Sequence, residues 1–177
     1  MIYVTVGTLF LDFARLINEM DRIAEMSGER VVAQIGLSKT IPKHCEYFDF
    51  KPREEVLALQ SEARVIVTHA GIGSVLDALE ARRPLLVVPR LKKFREHLTD
   101  HQIELAEAVE RRGWGKVIWD INSLAEACAS PPSPPAGYSS SKHRLVSAVE
   151  EFVERVSAYK MLSATGKVSK DIFRKSP

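Results

Sequence analysis

The run Val65-Ile66-Val67-Thr68 passes directly into His69-Ala70-Gly71-Ile72-Gly73, and a stretch of helical period opens near Ser74. A short β-branched run of this kind reads as a buried strand, and the glycines after it make a tight strand-to-helix turn. A strand that feeds straight into a helix meets its next partner through a crossover. The unit therefore commits the chain to a parallel sheet with helices on both faces.

The rest of the chain repeats that alternation. Ile2 to Val6 reads as a first strand, closed by the turn Gly7-Thr8. Phe13, Leu16, Ile17, Met20, Ile23 and Ala24 then fall on one face of a helix. Val31 to Ile35 and Tyr47 to Phe50 read as strands, and Pro52 precedes a short helix carrying Val56, Leu57 and Leu59. Leu85 to Val88 is a strand ending at Pro89, followed by a polar loop from Arg90 to Thr99. A helix from about Asp100 to Arg112 is stopped by Gly113, and Lys116 to Trp119 reads as a last strand. Residues 1–129 thus form a single Rossmann-like domain. Residues 130–141, with Pro131, Pro132, Pro134 and Pro135, read as a linker. Residues 142–177 carry an amphipathic helix marked by Leu145, Val149, Phe152, Val156 and Tyr159, then a basic tail.

Composition narrows the function. A chain of 177 residues, 45% hydrophobic, is long enough to bury one proper core. Its formal net charge of +2 gives no overall field for nucleic acid, which is not an expected partner. Cys45 and Cys128 are far apart and lack metal or redox spacing, so a reduced cytoplasmic interior is expected. No apolar stretch approaches the roughly 20 residues of a membrane-spanning helix, and the start lacks the basic region of a signal peptide.

In an open parallel sheet, ligands bind beyond the carboxyl ends of the strands, where helix N-termini present free N–H groups. Three loops have that position: Gly7-Thr8, His69 to Ser74, and Pro89 to Gln102. Gly71 and Gly73 let backbone approach a phosphate, with the helix dipole facing the anion. The same pair also begins a dinucleotide fingerprint, but Leu76 occupies its third glycine position and the unit does not follow the first strand. Asp77, one turn after Ser74, is placed to reach a ribose diol or to lie exposed. His69 is a phosphate donor or a structural hydrogen-bonder. Arg90, Lys92, Lys93 and Arg95 offer anion, partner or membrane contact, or a solvated loop. Asp100 is a good helix N-cap, which competes with a ligand role. His97 and His101 have the spacing of a helical metal pair without an evident third ligand, so neither a metal nor a cofactor is expected.

His69-Ala70-Gly71-Ile72-Gly73-Ser74, then Pro89-Arg90-Leu91-Lys92-Lys93, then Asp100-His101-Gln102 with Glu104-Leu105-Ala106 together resemble the C-terminal domain of glycosyltransferase family 28. The likeness runs from about Met1 to Ala129. It is closest to short bacterial exopolysaccharide glycosyltransferase subunits of the PssE and EpsF type, themselves similar to the small catalytic subunit of the eukaryotic enzyme adding the second N-acetylglucosamine to dolichol-linked sugar. The resemblance implies the C-terminal half of a GT-B fold and a UDP-sugar donor. Gly7, Thr8, Gly71, Gly73 and Ser74 would line the diphosphate, with His69 and Arg90 beside it. Asp77 stands where the family usually has a ribose-binding glutamate. Asp100, His101 and Gln102 match a motif at the donor sugar. It further implies inverting transfer to a lipid-linked saccharide acceptor in exopolysaccharide biosynthesis. A separate membrane-anchored, acceptor-binding subunit would hold this chain at the inner face of the plasma membrane. No catalytic base is identified. The competing expectation is a nucleotide-sugar-binding or regulatory module without turnover.

Overall fold

The computed structural model describes residues 1–135. Six strands form one sheet in the order β3-β2-β1-β4-β5-β6, and every adjacent pair is parallel. They are β1 (Ile2–Thr5), β2 (Val31–Gln34), β3 (Glu46–Phe48), β4 (Val65–Thr68), β5 (Leu85–Val87) and β6 (Lys116–Val117). The intervening helices are α1 (Ala14–Ser27), α2 (Arg53–Glu62), α3 (Ile72–Glu80), α4 (His101–Arg111) and α5 (Leu124–Ala129).

Side chains alternate across the sheet and divide the core in two. Ile2, Val4, Val31, Val65 and Leu86 face α1 and α5, against Leu16, Met20 and Leu124. Tyr3, Ile66, Leu85 and Val87 face the other way, against Val75 and Leu79 of α3 and Val109 of α4. Because both faces are covered, the central strands read as unbroken apolar runs.

The strand order places the ligand crevice. From β1 the chain moves outward to β2 and β3, then returns to β4 on the other side of β1 and continues outward to β5 and β6. Thr5 stands level with Thr68, so the loops after β1 and β4 leave the sheet side by side in opposite directions. That divergence is the topological switch point of an open α/β sheet.

Several boundaries differ from the sequence expectations. α3 begins at Ile72, with extended Gly71 as its N-cap, so Gly73 and Ser74 lie inside the first turn. The polar loop after β5 contains a 3-10 turn at Lys92–Phe94, and the last strand is only Lys116–Val117. α5 was not expected. Residues 131–135 have no regular structure, while the expected helix at Leu145 to Tyr159 and the basic tail lie outside the described residues.

The long entry into β3 is held by Asp21 of α1. One oxygen, Oδ1, accepts the backbone N–H groups of Lys43, His44 and Cys45 at 2.9, 2.6 and 3.0 Å. Partial burial raises the Asp21 pKa, but these donors outweigh it and hold the carboxyl below its ordinary range. Removing the carboxylate leaves three donors to water, so Asp21→Ala should cost about 1–2 kcal/mol in urea unfolding. Since the folded pKa is depressed, that difference should shrink as pH falls below the ordinary aspartate value of 3.8.

Candidate active site

The loops at the switch point are built around His69. Its backbone N–H donates to the Thr5 carbonyl at 3.2 Å, which continues the β1–β4 ladder by one residue. The imidazole then lies between two glycines: a Cβ at Gly7, where φ is +78°, or at Gly71 would overlap the ring. These two glycines have a packing reason of their own, whatever approach to phosphate was expected of Gly71 from the sequence and of Gly7 from the resemblance. Gly73 is different, since a Cβ there meets nothing within 4 Å. It leaves open space before the α3 N-terminus.

That terminus is uncapped by any side chain. Gly71 N–H donates to the His69 carbonyl (2.9 Å) and Val75 N–H to the Gly71 carbonyl (3.0 Å). Between them, the N–H groups of Ile72, Gly73 and Ser74 have no carbonyl one turn back within the helix, and the helix dipole adds partial positive charge. Thr8, on the facing loop, is exposed.

His69 is neutral here. Burial first, and then the charge of Arg90, push its pKa down to about 4, against a weaker upward pull from the Thr5 carbonyl. Its Nδ1 is buried without a partner.

Arg90 corrects the expectation that it faces an anion. Its side chain is wholly buried. Nη2 donates to the Val6 carbonyl at 2.8 Å, and Nη1 reaches the carbonyls of Leu11 (2.9 Å), Asp12 (3.2 Å) and Glu96 (3.2 Å). The guanidinium also stacks 4.5 Å from the Phe13 ring centre. Burial lowers its pKa to about 10, so it stays protonated at neutral pH. Arg90 is therefore a positioning residue that ties the loop after β1 to the loop after β5. Buried Glu96 reinforces the tie: it accepts two hydrogen bonds from Arg15, both 2.8 Å, and one from Leu91 N–H at 3.1 Å.

The remaining expected residues divide by environment. Gln102 is buried and its Oε1 accepts Arg90 N–H at 3.0 Å. Asp100 occupies the N-cap position of α4 but makes no side-chain cap; its carboxylate accepts Lys92 N–H at 3.1 Å. His101 is exposed, and His97 bonds Thr99 through Nδ1. Among the described residues no three His, Cys, Asp or Glu side chains converge as a metal group would require. Asp77 forms a two-pronged ion pair with Arg53 (2.7 and 2.9 Å), so any ligand hydroxyl must share that carboxylate.

Sequence reasoning missed Phe50. It is half exposed at the carboxyl end of the sheet, 3.7 Å from a Cβ built at Gly36, which itself would lie 2.6 Å from the Gly7 carbonyl oxygen. An exposed ring beside the glycine turns was the available signal.

A six-stranded parallel sheet in this order, with its crevice at the β1–β4 switch point, defines a Rossmann-like domain equivalent to the C-terminal half of GT-B glycosyltransferases. The Glycosyltransferase family 28 C-terminal domain matches residues 1–155, and the chain belongs to that family. The UDP-N-acetylglucosamine transferase subunit ALG13 of Mus musculus is 32% identical over 120 residues, 63% of this chain and 10% of that protein. Its counterpart in Eremothecium gossypii is 37% identical over 98 residues, covering 50% of this chain and 45% of its own. The chain thus spans about a tenth of the mouse relative and under half of the fungal one. Among solved structures, the calicheamicin glycosyltransferase CalG4 aligns with a TM-score of 0.58 at 22% identity, over 88% of this chain and 43% of that one. The NMR structure of ALG13 aligns at 0.54 and 20% identity, over 81% and 93%. At those identities the structures establish the fold alone.

Two predictions follow from the buried pair. Lysine keeps the charge but lacks the planar fork that reaches four carbonyls, so Arg90→Lys should lose about 3 kcal/mol in denaturant unfolding. The His69 pKa lies below its unfolded value of 6.5, so its contribution is intact above about 6.5 and drains away as pH falls towards 4. The loss should total about 3 kcal/mol, and His69→Gln should flatten the stability profile across that window.

Proposed function

We propose that this chain is the donor-binding half of an inverting UDP-sugar glycosyltransferase, completed by a separate subunit that presents a lipid-linked saccharide. The observation that carries the reading is the open, uncapped α3 N-terminus at the switch point, with Gly73 exposed in its first turn. An anion placed there gains backbone N–H donors and the helix dipole together. Membership of the family and the names of the relatives, UDP-N-acetylglucosamine transferase subunits, favour a UDP-sugar as that anion.

In this reading the diphosphate lies between Gly7-Thr8 and Gly71 to Ser74, Asp77 meets the ribose, and Phe50 offers its exposed ring to the base. Asp100, His101 and Gln102 border the donor sugar, with Gln102 acting from its place beside Arg90. The acceptor hydroxyl oxygen attacks the anomeric carbon from the face opposite the phosphate. A new carbon–oxygen bond forms, the bond to the β-phosphate breaks, and the hydroxyl proton passes to a base supplied outside the set named here. Charge gathers on the departing UDP, where the α3 amides stabilise it.

The reaction needs a second wall for the cleft, which the proposal assigns to a membrane-anchored subunit. The subunit naming of the ALG13 relatives supports it. The same reading places the chain on the cytoplasmic face of the plasma membrane through that partner, in exopolysaccharide synthesis.

Calorimetry tests the core of this. UDP should bind at least tenfold more tightly than UMP, since the second phosphate adds charge-assisted hydrogen bonds worth about 1.5–3 kcal/mol each. Gly73→Val should weaken UDP while circular dichroism and thermal unfolding stay close to the unsubstituted chain, because its side chain enters only open space. Equal affinity for UDP, UMP and uridine would remove the diphosphate reading.

A further inference from the structure

The loop after β5 holds apolar side chains in water on a fixed frame. Phe94 is 51% exposed and Leu98 65%. The turn that carries Phe94 is held by its own backbone. Phe94 N–H donates to the Leu91 carbonyl (3.1 Å), Arg95 N–H to the Lys92 carbonyl (2.9 Å) and Glu96 N–H back to the Leu91 carbonyl (3.3 Å). Leu91 N–H is tied to the Glu96 carboxylate, which Arg15 grips with two donors. To close this turn Arg95 adopts a left-handed conformation, φ +59°, that is unfavourable for a residue with a side chain. The backbone cost is spent on presenting Phe94 outward.

Two cations flank the Phe94 ring, Lys93 Nζ at 4.9 Å and the Arg15 guanidinium at 5.0 Å from its centre. Lys92, Lys93 and Arg95 are exposed, and none pairs with a carboxylate among the described residues. Of the loop's own acids, Glu96 is engaged with Arg15, and Asp100 accepts the Lys92 N–H within the loop. A second apolar tip lies on the neighbouring loop: Phe10 is 62% exposed, and its neighbour Leu11 shares one nitrogen of Arg90 with Glu96.

We infer that the turn Leu91 to Leu98, with Phe10 beside it, docks this domain onto the interface of an anionic bilayer. The exposed apolar groups sit on two loops among three exposed cations that lack carboxylate partners, a surface whose charge complements anionic headgroups. Isolated aromatic and leucine side chains enter the headgroup boundary without needing a complementary shape, and lysine and arginine stems lie along it with their charges at the phosphates. Each cation near an anionic surface is worth about 1 kcal/mol, or about fivefold in affinity.

The test is co-sedimentation of the full chain with vesicles of pure phosphatidylcholine and of phosphatidylcholine mixed with phosphatidylglycerol, with UDP affinity measured in parallel. The mixed vesicles should capture the chain, and added salt should release it. Phe94→Ser should weaken capture about tenfold with UDP affinity unchanged, while Phe94→Trp should restore it. Lys93→Gln with Arg95→Gln should weaken it about 25-fold. Because every variant retains residues 136–177, any contribution from that segment is common to all. Absence of capture, capture indifferent to phosphatidylglycerol, or equal capture of all variants overturns the inference. Capture without UDP binding would instead sink the donor reading and leave bilayer docking standing.

Discussion

A positive charge buried beneath the crevice organises everything that happens above it. Taking a guanidinium out of water is expensive unless its donors are met, and Arg90 offsets the cost through its two terminal nitrogens, with four backbone carbonyls and a stacked ring, while Nε stays buried without a partner. Those carbonyls come from the end of β1, the loop following it and the turn after β5. Two segments distant in sequence, residues 6–12 and the turn after β5, must therefore adopt one relative arrangement before the charge is satisfied. Burial, reinforced by the same charge, keeps His69 neutral, so the histidine at the floor of the crevice is a packing group in the free protein.

The hydrogen-bonded framework extends outward from that centre. Asp12, whose carbonyl Arg90 grips, uses its carboxylate to accept Ser38 Oγ, Thr40 Oγ1 and the Phe13 N–H, which brings in the loop after β2 and sets the start of α1. Gln102 accepts the Arg90 N–H from the first turn of α4. Three of the loops at the carboxyl end of the sheet, after β1, β2 and β5, are thus braced through side chains, leaving the α3 N-terminus open between them. A crevice whose walls are fixed in advance loses little entropy when a ligand enters.

Much of the fold was legible in the chain because its signals are local. The α1 stripe from Phe13 to Ala24 repeats at helical spacing, and β1, β4 and β5 are unmistakable apolar runs. α5 escaped notice because six residues bury only Leu124, Ala127 and Cys128, too few to show a period. The glycine loop and the Asp100-His101-Gln102 motif were readable as a candidate site, but the arrangement of side chains around them was not. A cationic residue in a polar stretch reads as solvated, and the carbonyls that bury Arg90 carry no side-chain signature. Likewise Asp77 gave no sign of Arg53, 24 positions away, which reaches it only after α2 and α3 have packed on the same face.

The seating of the His69 ring between Gly7 and Gly71 has a consequence for how this crevice can evolve. Any side chain at either glycine requires a smaller residue at 69, and a smaller residue at 69 opens a void that larger neighbours could then fill. The three positions therefore behave as a single combinatorial choice, reached by coordinated replacement and closed to stepwise drift. Lineages that alter one should be found to have altered the others, even though 62 residues separate the first from the second.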